Sequence, residues 1–230
     1  MISTTPETGS TNADLLAQAA AGAPEGTWLR AERQTGGRGR LGRAWNSPLG
    51  NLYASTIVRP LAGDPSPPSL ALVAAVALEE VASAYAGPNR LQIKWPNDLM
   101  AGPAKLAGIL LERSGDAVVI GFGVNLAHHP EGLERPTASL AGLGLSAPDP
   151  DAFLLDLSQS FARWLGRWRS EGLAPVRTQW LNRAHPIGSA LSAAGREGLF
   201  EGLDADGTLL LRHADGAIEA VRAGDVFLVA

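Results

Sequence analysis

Cysteine is missing altogether from the 230 residues, so disulfides, thiolate metal sites and a nucleophilic thiol are excluded at once. An excess of positive charge is missing too. The formal balance is -4 and the pI is near 5.6, which argues against a general nucleic-acid binder resting on many phosphate contacts. The N-terminus has neither a basic segment nor an apolar one, so no secretory signal is expected. The apolar run Leu70 to Leu78 is too short to span a bilayer and ends in Glu79 and Glu80. A soluble, cytoplasmic protein without a membrane partner is therefore expected. No Gly-x-x-x-x-Gly-Lys-Ser/Thr occurs to hold ATP in a P-loop, and the four histidines lack the His-Glu-x-x-His spacing of a zinc hydrolase.

Positive charge is concentrated instead in one stretch. Gln34 to Trp45, Gln-Thr-Gly-Gly-Arg-Gly-Arg-Leu-Gly-Arg-Ala-Trp, holds four glycines and three arginines with no acidic side chain. Glycine frees the backbone to expose successive N–H groups, and guanidinium forks project beside them, which is chemistry for gripping a phosphate or carboxylate. Composition alone also allows a flexible solvated loop, or an Arg-Gly element that touches RNA. Further along come Lys94-Trp95-Pro96-Asn97-Asp98, then Lys105-Leu106-Ala107-Gly108-Ile109-Leu110, then Gly121-Phe122-Gly123-Val124-Asn125.

Hydrophobic content of 45% with 18% charged residues supports a real core. Residues 1 to 9 read as a short arm. A helix over Ala13 to Ala21 follows, capped by Ser10, Thr11 or Asn12. Strands are expected at Trp28 to Glu32, Asn51 to Val58, Leu91 to Trp95, Ala104 to Glu112 and Ala117 to Asn125, with an apolar helix from Ser69 to Ala86. Asn97 and Asp98 fall in a turn. His128 to Pro150 reads as an irregular connection. Asp149 or Asp151 is placed to cap a helix from Ala152 to Ser170, and Ala174 to Ala184 is a shorter one. Beyond Ile187, Asp-Gly turns separate short strands, Thr208 to Arg212 and Ala217 to Val221 among them. Strands that follow one another without intervening helices favour an α+β fold with a mixed sheet flanked by helices.

The four motifs, in this order, resemble those of the biotin-protein ligases, and the resemblance runs from about Gly9 to the end of the chain. It implies a class II synthetase-like catalytic domain over residues 1–184 and a small SH3-like barrel over 185–230. It implies ATP-dependent activation of biotin to biotinyl-5'-AMP with release of pyrophosphate, then transfer to a lysine of a biotin carboxyl carrier protein domain. At most nine residues precede Ser10 and Thr11, which leaves no room for a helix-turn-helix, so a monofunctional ligase without DNA binding is expected; a homodimer is allowed. The rival within enzymes is a lipoate- or octanoate-protein transferase.

By the same resemblance, Ser10, Thr11, Gln34, Gly37 and Arg38 meet biotin, and Gly108 and Gly123 let its ring approach the sheet. Lys105, Arg38 and Arg40 are the catalytic cations. Arg40, Arg43, Trp45, Lys94, Asn97 and Asn125 serve ATP and the adenylate, and Asp98 holds Mg2+. Several of these have blander alternatives. Ser10 and Thr11 can simply cap a helix, Trp95 can be core, and Lys105 can be an edge lysine that blocks strand pairing. Leu41 stands where many ligases carry another arginine.

Overall fold

The computed structural model describes residues 1–222 and 224–228. Its larger sheet has seven strands, β1 Ile2–Thr8, β2 Trp28–Gln34, β3 Leu52–Val58, β4 Gln92–Lys94, β5 Asp98–Ala101, β6 Ala104–Ser114 and β7 Ala117–Val124. They lie in the order β1-β2-β3-β7-β6-β5-β4. β1 pairs with β2 in parallel, and the other neighbours run antiparallel. Four helices accompany it, α1 Thr11–Ala20, α2 Leu70–Ala86, α3 Pro150–Glu171 and α4 Ala174–Arg183. A second, antiparallel sheet of SH3 type follows, with β8 Ala190–Ala193, β9 Arg196–Leu203, β10 Leu209–Arg212, β11 Ile218–Val221 and β12 Val226–Leu228. The expected α+β class is the observed one.

Side-chain alternation along β3 and β7 decides where everything else goes. Leu52, Ala54 and Val58, with Val118, Ile120, Phe122 and Val124, point to one face and join the main core with α2 and α3. There Phe122 stacks on Trp28 at 5.7 Å and meets Phe161 edge-on at 6.1 Å. Ser55, Ile57, Val119, Gly121 and Gly123 alternate to the opposite face. That face carries α1, whose Leu15 and Ala19 form a small core with Ile57 and Val119.

α2 is apolar almost all round because helices and sheet surround it. By length and composition the segment Pro67–Ala86 could cross a membrane, but most of it is buried inside the fold. Its one deeply buried charge, Glu79, is 1% exposed and lies 3.5 Å from Arg183 of α4. Burial raises the Glu79 carboxyl above its usual range, against the lowering influence of Ser83 and Arg183. The core continues without a break into the second sheet, where Trp180 of α4 meets Phe200 of β9 at 6.3 Å.

Three expectations are corrected. Residues 1 to 9 are not a loose arm, because Ile2–Thr8 forms the edge strand β1, paired from Ile2 opposite Trp28 to Thr8 opposite Gln34. Pro6 is tolerated there since an edge strand has one side free of ladder bonds. Asp98 is the first residue of strand β5 rather than part of a turn. Lys105 is not on an edge, because β6 is flanked by β5 and β7. For α3 the cap is Asp149, which accepts the N–H of Asp151 and of Ala152, while Asp151 pairs with Arg30 of β2 at 3.0 Å.

Candidate active site

The open face of the large sheet, the arginine-rich loop and the connection after β7 enclose a cavity of about 750 Å³, within the usual range for small-molecule sites. All the candidate residues of the sequence reading line it except Lys94.

One end of the cavity is polar and uncharged. Ser10 is the N-cap residue of α1, but its side chain makes no capping bond, so its hydroxyl is left to the cavity. Thr11 donates its backbone N–H to Gln34 Oε1 at 2.9 Å. Gln34 in turn donates from Nε2 to Ser47 Oγ at 3.2 Å. A Cβ on Gly37 would stand 2.7 Å from the Trp45 carbonyl and 2.9 Å from Gln34 Nε2, which is why glycine is required there.

The floor is made of glycines, and the side chain lying against them is Trp45. A Cβ on Gly123 would stand 2.6 Å from its indole, and one on Gly108 would stand 3.3 Å from the same ring and 3.1 Å from Lys105 Nζ. Lys105 Nζ sits 5.4 Å from the Trp45 ring centre, a cation–π distance. The buried indole Nε1–H has no partner among the described residues.

Charge gathers at the other end. Lys105 Nζ lies 2.6 Å from Asp98 Oδ1, close in distance but off the hydrogen-bond direction. On the far side of Asp98, Lys94 Nζ stands 3.6 Å from Oδ2. Of the residues that the sequence reading gave to ATP, Lys94 alone does not line the cavity; it lies against Asp98 instead. Burial lowers the Lys94 ammonium below its usual range, with Asp98 opposing and Lys105 and Arg135 reinforcing the shift. The carboxylate that the sequence reading gave to magnesium is flanked by two ammonium groups, and its Oδ1 has no hydrogen-bond partner among the described residues; one such carboxylate with ATP phosphate oxygens would suffice to hold the ion there.

The arginines divide their work. Arg38 is exposed and its side chain has no hydrogen bond or ion pair among the described residues. Arg40 donates to Asn97 Oδ1 at 3.3 Å and to the Gly224 carbonyl at 3.2 Å. Arg43 forms a two-pronged pair with Asp225 at 3.0 and 3.2 Å. Leu41, between them, is 84% exposed with φ of 57°, in the left-handed region. Asn125 is anchored by Nδ2 to the Ala138 carbonyl at 3.0 Å.

Sequence reasoning missed Asp225 and Arg135. Arg135 lines the cavity, pairs with Asp225 at 3.1 Å and covers the Phe227 ring at 4.5 Å. Burial works to raise the Asp225 carboxyl, but Arg43 and Arg135 outweigh it and hold it below the usual carboxylate range. The connection after β7 is also more ordered than its composition suggests. It clasps Lys105, whose N–H donates to the Pro136 carbonyl and whose carbonyl accepts from Ala138, both at 2.9 Å. No local signal marked Asp225, because its partners are 90 and 182 residues away.

Comparison with known proteins identifies relatives for the whole chain. Residues 6–125 match the biotin/lipoate A/B protein ligase family, and residues 196–229 match the biotin protein ligase C-terminal domain. The chain is 41% identical to the biotin–[acetyl-CoA-carboxylase] ligase of Paracoccus denitrificans, over 96% of this chain and 97% of that protein. Identity to the enzyme of the same name from Mycobacterium tuberculosis is 37%, over 96% and 86% respectively. Among solved structures, the biotin protein ligase of Aquifex aeolicus in complex with biotin and ATP superposes with a TM-score of 0.89 at 26% identity, covering 99% of each chain.

Proposed function

The chain belongs to the biotin/lipoate A/B protein ligase family, with biotin-protein ligases as its relatives, and we propose that it makes biotinyl-5'-AMP and passes the biotinyl group to a lysine of a carboxyl carrier domain. The observation that carries this reading is the polarity of one cavity. Its Ser10–Thr11–Gln34 end is neutral and hydrogen-bonding, its Trp45 middle is apolar, and its Lys105–Arg38–Arg40 end is cationic. That sequence of environments suits a ligand with a cyclic urea, an aliphatic tail and a carboxylate.

In the first half-reaction a biotin carboxylate oxygen attacks the α-phosphorus of ATP. The new C–O–P linkage forms as the bond to the β-phosphate bridging oxygen breaks, and pyrophosphate leaves. Two anions must meet, so the work falls to fixed positive charge placed before the reaction begins. Lys105 is aimed by Asp98 and by its cation–π seat on Trp45. The guanidinium of Arg40 is held by Asn97 and the Gly224 carbonyl. In the second half-reaction the acceptor amine attacks the mixed-anhydride carbonyl, the amide forms, AMP departs and the amine proton is lost to solvent. Magnesium enters as part of the Mg-ATP substrate.

A lipoyl or octanoyl transferase would share the fold. The hydrogen-bonding end favours biotin, because lipoate and octanoate bring no N–H donor to it. The test is pyrophosphate release from Mg-ATP with biotin, lipoate or octanoate offered separately, followed by the mass of a carrier domain. Release with biotin alone and one biotinyl mass on the carrier are expected. Release with lipoate or octanoate would move the chain to the other branch.

A further inference from the structure

From the wall of the cavity, where Asn12 is one of the lining residues, a chain of buried side chains that the reaction itself does not use runs back behind the polar end. Asn12 is 5% exposed and Ser55 is fully buried. Asn12 Nδ2 donates to Glu112 Oε2 at 2.7 Å and approaches the Leu110 carbonyl at 3.4 Å. Asn12 Oδ1 stands 2.6 Å from Ser55 Oγ, which in turn stands 2.7 Å from Thr11 Oγ1. Room for this chain depends on Gly121, where a Cβ would come within 2.3 Å of Asn12 Oδ1.

These contacts have one consistent arrangement of protons. A carboxylate and a carbonyl can only accept, so the amide atom facing Glu112 and Leu110 is the nitrogen, and Asn12 turns its oxygen to Ser55. That oxygen also only accepts, so the Ser55 proton goes to it. The 2.7 Å contact between the two hydroxyls then needs a proton from Thr11. With its one proton committed to Ser55, Thr11 Oγ1 has only lone pairs left for the cavity. Its 3.2 Å contact with Gln34 Oε1 carries no proton, and that Gln34 oxygen is served by the Thr11 N–H.

We propose that Ser55, Asn12 and Glu112 are positioning residues that lock Thr11 as a hydrogen-bond acceptor, so that the site selects ligands presenting an N–H at that point. The inference rests on the biotin reading above, in which the ligand at this end is a cyclic urea. The unspent Ser10 hydroxyl is then the complementary donor for the urea oxygen. A site whose buried polar groups are fixed in one sense rejects an analogue of the wrong sense far more strongly than one whose hydroxyl can turn.

The experiment compares, by titration calorimetry, biotin and its two cyclic-carbamate analogues, in each of which one ring N–H is replaced by oxygen. Parent enzyme should bind biotin and reject one of the two carbamates by roughly 100-fold or more. Ser55→Ala frees the Thr11 proton to turn towards the ring oxygen, and that ratio should fall to below about 10-fold while the other carbamate keeps its parental ratio. Glu112→Leu, at the half-exposed far end, should lower the ratio partly, and Glu112→Gln, which keeps an acceptor, should preserve it. A merely structural contribution would weaken all three ligands alike. Unchanged ratios in a folded Ser55→Ala protein overturn the proposal and leave the biotin reading standing; should that variant not fold, an unchanged ratio in Glu112→Leu does the same. A parent that binds neither biotin nor the carbamates overturns the biotin reading itself, and the proposal with it.

Discussion

The two faces of β3 and β7 are built from the same strands, yet they solve opposite problems. One face spends its residues on volume. Leu52, Val58, Ile120 and Phe122 are each at most 2% exposed and fill the space under α2 and α3. The other spends its residues on vacancy and direction, with Gly121 and Gly123 making room and Ser55 donating a hydrogen bond to Asn12. Alternation lets a single strand do both, and each face is vulnerable to a different kind of substitution. On the filled face a deletion hurts. On the open face an addition does.

The sharpest test of that contrast is Phe122→Ala. Removing a ring that packs on Trp28 and Phe161 should cost about 3–5 kcal/mol in denaturant melts, while the folded fraction binds biotin with its parental affinity. An affinity loss matching the stability loss would dissolve the distinction between the faces. Next in size is Lys105→Ala, which removes a cation of the open face and should slow biotin-dependent pyrophosphate release by roughly 100- to 1000-fold with a melting temperature close to the parent's. A rate within threefold of the parent would deny Lys105 its charge-stabilising role. Gly121→Ala adds a single carbon in front of Asn12 and should weaken biotin binding about tenfold, with the filled face undisturbed and far-ultraviolet circular dichroism unchanged. Equal affinity would mean that Asn12 moves aside without consequence.

The smallest effect belongs to His185, buried near Lys94 where the two sheets meet. Its imidazole is pushed below the ordinary value of 6.5 by burial and then by Lys94, and its Nε2 has no partner among the described residues. The unfolded chain thus takes up a proton more readily than the folded one. Stability from this group is present above pH 6.5 and is lost as pH falls through the depressed folded value. His185→Gln should flatten the acid side of the melting-temperature profile. An identical slope in parent and variant would show that lowered carboxyls such as Glu25 and Asp225 account for all the acid sensitivity.

Much of this was legible in the sequence because it is local. The helices announced themselves by their apolar residues, α3 also by its Asp149 cap, and the cationic loop by its glycines and arginines. β1 was hidden because its side chains are mostly exposed on both faces, which leaves no hydrophobic alternation to read. β5 was hidden by its four-residue length and the turn residues ahead of it. In the site, the residues that meet the cavity carried motif signals, whereas those that aim them did not. Ser55 reaches Asn12 across 43 positions and Glu112 reaches it across 100. A serine inside an apolar strand has no signature of its own until the fold supplies the partner that gives its proton a direction.

The seat of Trp45 on the glycine floor has a spectroscopic consequence. Of the six tryptophans, Trp28, Trp95, Trp164, Trp168 and Trp180 are all at most 8% exposed and none lines the cavity. Trp45 alone lies within it, beside the Lys105 ammonium. Intrinsic fluorescence is therefore already divided into two channels. Five indoles report whether the chain is folded, and the sixth, isolated by subtracting the signal of a Trp45→Phe protein, reports whether the cavity is filled.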